Sequence, residues 1–170
     1  MQGIARIYNL IIHLMRVLAG IQIFAVFVLI CADVLMRLAG LQPWIYSTII
    51  VEYSLLWFAM LGAPYLVRTK GHVFIDAMMI LLPPNLKIVS AKISYLICVV
   101  SSIIFIIYSG DLLIGAIRDG LIDFRAEEIP MWILYFPIPV GFVFVATEFM
   151  RYLIGTDSMY GERTDVRDNV

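Results

Sequence analysis

Residues 44–61 of the sequence hold a single charged side chain. They read WIYSTIIVEYSLLWFAML, and the charged residue is Glu52. In a helix that rises about 1.5 Å per residue, Glu52 would lie about 12 Å beyond Trp44. A carboxylate at that depth in a membrane costs at least roughly 2.5–3.5 kcal/mol, and it is tolerated where it is protonated, paired or next to a polar cavity. Glu52 could therefore couple transport to an ion or relay a proton, form a structural ion pair, or contact a partner subunit.

Asp33 and Arg37 offer such a pair. They stand four residues apart near the end of the first apolar segment, so they share one face of a helix. The connection that follows, 38–43, is short, and it brings that end beside the start of the helix that contains Glu52. A long arginine side chain can extend along the helix to reach a polar partner. We therefore predict a cluster of Asp33, Arg37 and Glu52 that keeps each charge paired across two helices.

Glu148 and Arg151 form a second possible pair near the end of the last apolar segment. They are three residues apart, a spacing that brings two side chains together on one helix face. We expect a local ion pair that reaches the cytoplasmic interface.

No other residues are spaced for catalysis or for a cofactor. His13 and His72 lie near the predicted inner surface, whereas a haem-binding bundle needs histidines that face each other within the helices. Cys31 and Cys98 are single cysteines in separate apolar segments, which form neither a metal site nor a dithiol centre. Since no nucleophile stands beside a base, the sequence predicts no enzyme activity, no metal and no cofactor.

The elements that must position these residues are apolar helices. Of the 170 residues, 62% are hydrophobic and only 15% are charged, with a mean hydropathy of +0.96, whereas soluble domains average about 25% charged residues. A transmembrane helix needs roughly 20 mostly apolar residues, and helices satisfy their own backbone hydrogen bonds in lipid. We therefore predict an all-α membrane protein, with a transmembrane domain at 1–154 and a polar tail at 155–170. The four spans are expected at about 10–32, 44–67, 86–108 and 130–154.

The distribution of basic residues predicts the orientation. Four spans place the N-terminus, the 68–92 connection and the C-terminus on one side, where nine of the twelve Lys and Arg residues lie. Cytoplasmic loops carry this excess, so both termini are expected in the cytoplasm, and the net charge of −1 gives no sign of a nucleic-acid partner. Within the inner connection, the apolar segment 73–82 is too short to span and is expected to be an interfacial helix. Trp44 and Trp132 are expected to anchor two helix starts at the outer headgroups.

Three stretches of the sequence, taken in order, resemble the small membrane subunit of tripartite ATP-independent periplasmic (TRAP) transporters. They are ICADVLMRLAG, QPWIYSTIIVEYSLLWFAMLGAPYLVRTKGHVFIDAMMILLPP and EEIPMWILYFPIPVGFVF. The resemblance covers nearly the whole chain. One departure is that Tyr53 follows Glu52, where the family often has a second carboxylate. The motif positions carried over are Arg37, Trp44, Glu52, Gly71, His72, Asp76, Pro130, Trp132 and Pro139.

The resemblance implies a fixed scaffold in the bacterial inner membrane, in contact with lipid. It would support a large multi-span permease subunit that holds the substrate and sodium sites, while a periplasmic binding protein delivers an organic acid. The acidic outer connection would be a docking surface for that protein. Its acidic residues are Asp119, Asp123, Glu127 and Glu128. The alternative reading is a subunit of another multicomponent importer, such as a tricarboxylate system, or of a membrane enzyme complex.

Overall fold

The computed structural model describes residues 2–42, 44, 46–69, 84–124 and 128–155, with side chains from residue 6 in the first helix and from residue 89 in the third. The chain is mostly helical, and four of its helices are long and apolar enough to cross a membrane. The prediction of four spans is confirmed. The helices are α1 (Gln2–Leu38), α2 (Ser47–Arg68), α3 (Pro84–Arg118), α4 (Trp132–Tyr135) and α5 (Pro137–Ile154), and the strands are β1 (Ile122–Asp123) and β2 (Ile129–Pro130). The predicted interfacial segment 73–82 lies outside the described residues.

Two helices extend well beyond the predicted spans. The first was expected at 10–32 and the third at 86–108, but α1 has 37 residues and α3 has 35. α1 contains no proline, and the proline of α3 is its first residue, Pro84. Each helix ends shortly before a glycine in the left-handed region, Gly40 (φ 74°) after α1 and Gly120 (φ 60°) after α3. Since glycine adopts that conformation without steric cost, it ends a helix there. Both helices therefore continue past the hydrocarbon core, which is about 30 Å thick.

Proline divides the last span into α4 and α5. Pro137 begins α5 and has no N–H to donate to the carbonyl of Ile133. The indole Nε1 of Trp57 on α2 donates to that carbonyl oxygen instead, at 3.0 Å. The Ile133 carbonyl is therefore not left unpaired at the break, because a side chain from another helix supplies the missing donor.

The helices pack in the order α1, α2, α5, α3, so that α5 lies between α2 and α3. A buried hydrophobic cluster joins these last three helices near the ends of α2 and α5 and the start of α3. Its members are Val67, Ala91, Tyr95, Val99, Val145, Phe149 and Tyr152. At the contact between α2 and α5, a Cβ added to Gly141 would lie 2.9 Å from Met60 Cβ and 3.0 Å from the Met60 carbonyl oxygen. Glycine at this position is what allows the two backbones to approach so closely.

Large apolar side chains cover the outer surface of α1 and α3. Phe24 and Phe27 on α1 are 67% and 63% exposed, and Ile97 and Ile107 on α3 are 60% and 63% exposed. A water-soluble protein rarely exposes such a continuous apolar surface, whereas lipid solvates it well. The exposure pattern agrees with the four membrane spans.

Candidate functional site

The Asp33 carboxylate lies near the connecting end of the hairpin of α1 and α2. Arg37 Nε donates to Asp33 Oδ2 at 3.0 Å, and this ion pair lies within α1. Ser47, the first residue of α2, has its Oγ 3.0 Å from Asp33 Oδ1 and 2.9 Å from the Trp44 carbonyl oxygen. Its single hydroxyl proton can serve one of these acceptors at a time. Asp33 therefore links α1 to the start of α2.

Glu52 occupies another face of α2. It is exposed, and it follows Ser47 by five residues, which is a rotation of about 140° around a helix of 3.6 residues per turn. The same repeat aligns Glu52 with Leu56, Ala59 and Ala63 along one side of α2. Ser47, which sequence reasoning did not single out, is an α2 side chain that donates a hydrogen bond to Asp33. The inclusion of Glu52 in this cluster stays a prediction.

A buried hydrogen bond, missed at the level of sequence, ties the outer connection to α2. Tyr53 Oη donates to Asp123 Oδ2 at 3.0 Å, and the two residues are only 7% and 3% exposed. Asp123 belongs to β1, which pairs antiparallel with β2 so that Asp123 lies opposite Ile129. The sequence did mark this position as unusual, because Tyr53 stands where the resembled family often has a carboxylate. The sequence did not indicate which acidic residue of the outer connection would contact it.

This burial corrects one expectation about the acidic outer connection. Asp123 was predicted to belong to an exposed docking surface, but its carboxylate points into the protein and is held by Tyr53. A buried carboxylate cannot meet a partner protein at the surface. Asp119 and Glu128 are exposed and remain candidates, while Glu127 lies outside the described residues.

Glu148 is the most completely buried charged side chain among the described residues. Its exposure is 0%, and Arg151 Nη1 lies 3.3 Å from Glu148 Oε2. The Tyr8 hydroxyl of α1 is also close enough to interact with this carboxylate. The side chain of Arg151 is 50% exposed. Only the arginine of this predicted pair therefore reaches the surface, and the carboxylate is enclosed by the helices.

The helices around Glu148 are held together by polar contacts. Tyr8 Oη on α1 and Thr147 Oγ1 on α5 are 2.8 Å apart, and the Tyr8 ring stacks on Phe144. Arg68 donates to Asn9, and Tyr152 Oη donates to the Arg68 carbonyl oxygen at 2.9 Å. These contacts join α1, α2 and α5 at the end of the molecule opposite Asp33.

The remaining predicted residues fall at helix starts or outside the described residues. Trp44 is 63% exposed before α2, and Trp132 is 43% exposed at the start of α4, as an interface anchor requires. Pro130 is exposed in β2, and Pro139 is half-buried in the first turn of α5. Gly71, His72 and Asp76 are not among the described residues. Within the described ranges, no group of three or more His, Cys, Asp or Glu side chains could hold a metal ion.

Comparison with known proteins identifies the chain. Residues 26–157 match the family model of the DctQ component of tripartite ATP-independent periplasmic transporters, and this range contains residues 26–38 of α1 and the whole of α2, α3, α4 and α5. No curated protein matches the sequence. The DctQ family consists of inner-membrane transporter subunits rather than enzymes, and the four apolar helices agree with a multi-pass membrane protein. Since the match covers most of the chain, the protein belongs to the DctQ family and is the small membrane component of a TRAP transporter.

Proposed function

We propose that the chain is the stationary scaffold for a large, sodium-coupled permease subunit, which imports an organic acid delivered by a periplasmic binding protein. The observation that carries this proposal is the scarcity of charge within the spans, where Asp33, Glu52 and Glu148 border long uncharged stretches. Residues 17–32, 53–67, 93–110 and 131–147 contain no Asp, Glu, Lys, Arg or His. Coupling ions and anionic substrates are bound near the midplane by charged or polar side chains or by the ends of paired broken helices, and among the described helices only the last span is broken. These sites are therefore assigned to the large subunit.

Little of each span is buried within the chain, which favours a subunit that supports a larger partner over one that works alone. Within the most apolar stretch of each span, between 11% and 28% of the residues are buried inside the chain. Such helices leave wide apolar surfaces for lipid or for a larger neighbour. A moving transport domain must slide against a fixed part, and a row of four helices extends that fixed part in the membrane.

We assign the cytoplasmic side to the end that holds Glu148. Among residues with described side chains, Arg6, Arg16, Arg68, Lys92 and Arg151 belong to that end, whereas Arg37 and Arg118 belong to the other. This asymmetry follows the positive-inside rule. Both chain termini then lie in the cytoplasm, and a protease added to spheroplasts, from which the outer membrane has been stripped, should leave a C-terminal tag uncut until the inner membrane is permeabilised.

Reconstitution tests the scaffold role. The chain, the large subunit and the binding protein are placed in liposomes together and with each omitted in turn, and uptake of labelled organic acids is measured with and without a sodium gradient. We expect sodium-dependent uptake only when all three are present, and none from this chain alone. Uptake by this chain alone, or full uptake without it, would contradict the proposal.

The exposed carboxylates Asp119 and Glu128 are proposed to guide the binding protein to the outer face. Surface charges act mainly on the rate of encounter, and salt screens them. In the reconstituted system, Asp119→Asn combined with Glu128→Gln should slow uptake at low binding-protein concentration and weaken its dependence on salt. Neutralising the buried Asp123 is not an equivalent change, because it removes the acceptor of Tyr53. If uptake and its salt dependence are unchanged by the double variant, the docking role is excluded.

A further inference from the structure

Two arginines link α1 to α2 at the open end of their hairpin, away from the connection between the helices. Arg16 Nη1 on α1 donates to Tyr65 Oη on α2 at 2.8 Å, and Arg68 on α2 donates to Asn9 Oδ1 on α1. The two α1 residues are seven apart and the two α2 residues are three apart, so each pair shares one face of its helix. We call these four residues the α1–α2 seam.

The guanidinium groups of the α1–α2 seam are held by neutral partners. Arg16 Cζ lies 4.8 Å from the centroid of the Tyr65 ring, and Asn9 offers Arg68 only an amide oxygen. Neither arginine forms an ion pair with a residue that the structure describes. The only described carboxylate at this end of the molecule is that of Glu148, which is fully buried and paired with another arginine. Both positive charges of the seam are therefore oriented but not neutralised.

Both arginines also have donors to spare. A guanidinium group has five N–H donors, and each seam arginine uses one of them in its contact with the other helix. Arg16 is exposed and Arg68 is half-buried, so the remaining donors can reach a ligand at the surface. Guanidinium groups bind phosphate and carboxylate oxygens in pairs. The ligand that fits the seam is therefore an oxyanion.

The position of the seam in the membrane narrows the choice of oxyanion. Arg16 directly precedes the uncharged stretch 17–32 of α1, and Arg68 directly follows the uncharged stretch 53–67 of α2. Both side chains therefore stand at the same edge of the hydrocarbon layer, where the phosphates of lipid headgroups lie. Basic pockets between transmembrane helices at this level bind anionic headgroups.

The surface beyond Arg16 suits the tail of the same lipid. Gly20 stands one turn beyond Arg16, and a Cβ added there would meet no atom within 4 Å. Ile23 and Phe27 continue the same face of α1, and they are 45% and 63% exposed. An apolar strip about 16 Å long therefore begins at the guanidinium group. A soluble phosphate would make no use of this strip.

We propose that the α1–α2 seam binds the headgroup of an anionic phospholipid, with one acyl chain along Gly20, Ile23 and Phe27. The phosphate oxygens accept hydrogen bonds from Arg16 and Arg68, so the lipid joins α1 to α2 at the end where no loop connects them. Two uncompensated positive charges favour a headgroup of net negative charge over a zwitterionic one, whose ammonium group they repel. The site needs no large subunit, because all of its residues belong to this chain.

Lipid binding to the purified chain tests the site. The delipidated chain is titrated with phosphatidylglycerol in neutral detergent, and bound lipid is counted by native mass spectrometry, with phosphatidylcholine of the same acyl chains for comparison. We expect one phosphatidylglycerol to bind at least about tenfold more tightly. Arg16→Gln and Arg68→Gln should each weaken its binding about fivefold. The matched control is Lys92→Gln, an exposed basic residue that borders the uncharged stretch of α3, and it should leave binding unchanged.

A second measurement locates the bound lipid. Phosphatidylglycerol with a diazirine in its acyl chain should label the peptide that contains residues 16–27, and Arg16→Gln should reduce that label. Helix content and elution volume establish that each single variant folds, since each keeps one of the two contacts across the seam.

Four results would overturn the inference. Equal affinity for phosphatidylcholine would show that charge does not select the lipid, and an equal loss of binding in Lys92→Gln would show attraction to the basic end as a whole. A label spread evenly over all four spans would show annular lipid only. Displacement of phosphatidylglycerol by glycerol phosphate at equal concentration would show a site for a soluble anion instead.

Discussion

Replacing Gly141 with alanine should loosen the contact between α2 and α5. The added Cβ would lie 2.9 Å from Met60 Cβ and 3.0 Å from the Met60 carbonyl oxygen, whereas such contacts normally need about 3.5–4.0 Å. The backbone atom cannot rotate away, so the two helices must separate by about half an ångström or more. Overpacking of this kind costs typically about 1–3 kcal/mol, which lowers the folding equilibrium constant about five- to 150-fold.

A matched glycine separates this clash from the intrinsic effect of the substitution. Alanine stabilises a helix relative to glycine by up to about 1 kcal/mol, and this gain is common to every Gly→Ala change in a helix. A Cβ added to Gly62 on α2 meets no atom within 4 Å. The difference in unfolding free energy between Gly141→Ala and Gly62→Ala therefore isolates the contact with Met60.

The assay is reversible unfolding of the purified chain in mixed micelles of mild detergent and dodecyl sulfate, followed by circular dichroism and tryptophan fluorescence. We expect Gly141→Ala to be about 1–3 kcal/mol less stable than Gly62→Ala. If the two variants are equally stable, the close approach of α2 and α5 does not exist in the folded chain.

Three further predictions concern the polar contacts. A double-mutant cycle of Asp33→Ala and Arg37→Ala should give a coupling energy below about 1 kcal/mol, because Arg37 is 59% exposed and solvent screens the pair. A larger coupling energy would show that the pair is shielded from solvent in the folded chain. Arg151→Ala should destabilise the chain by at most about 3–5 kcal/mol, because it removes the charge that faces a buried carboxylate but is itself 50% exposed. Glu148→Gln should cost less, and the reverse order in the same unfolding assay would contradict this account of the pair. Tyr53→Phe should lower the free energy of unfolding by about 1–3 kcal/mol and speed proteolysis of the outer connection. Unchanged cleavage rates would mean that the hydrogen bond to Asp123 does not hold that connection in place.

The sequence determined the membrane architecture by itself. Apolar runs of about 20 residues leave the backbone no alternative in lipid to a spanning helix, so four spans follow from composition and spacing alone. The i, i+4 spacing likewise determined the Asp33–Arg37 pair, and the i, i+3 spacing brought Glu148 next to Arg151, because helix geometry places such residues together without help from other elements. Helix ends were less accessible, since nothing marks the lipid boundary within α1 and α3, which continue to Gly40 and Gly120.

Contacts between elements were decided only by the tertiary structure. Three hydrogen bonds join separate elements, and they are those of Ser47 with Asp33, Tyr53 with Asp123 and Trp57 with Ile133. Whether such residues meet depends on how each helix is rotated about its axis. In a soluble protein the apolar stripe of a helix reveals that rotation, but helices that are apolar all round carry no such stripe. For the same reason the sequence could not distinguish the buried Asp123 from the exposed Asp119, or show that Arg16 and Arg68 lie on one seam between α1 and α2.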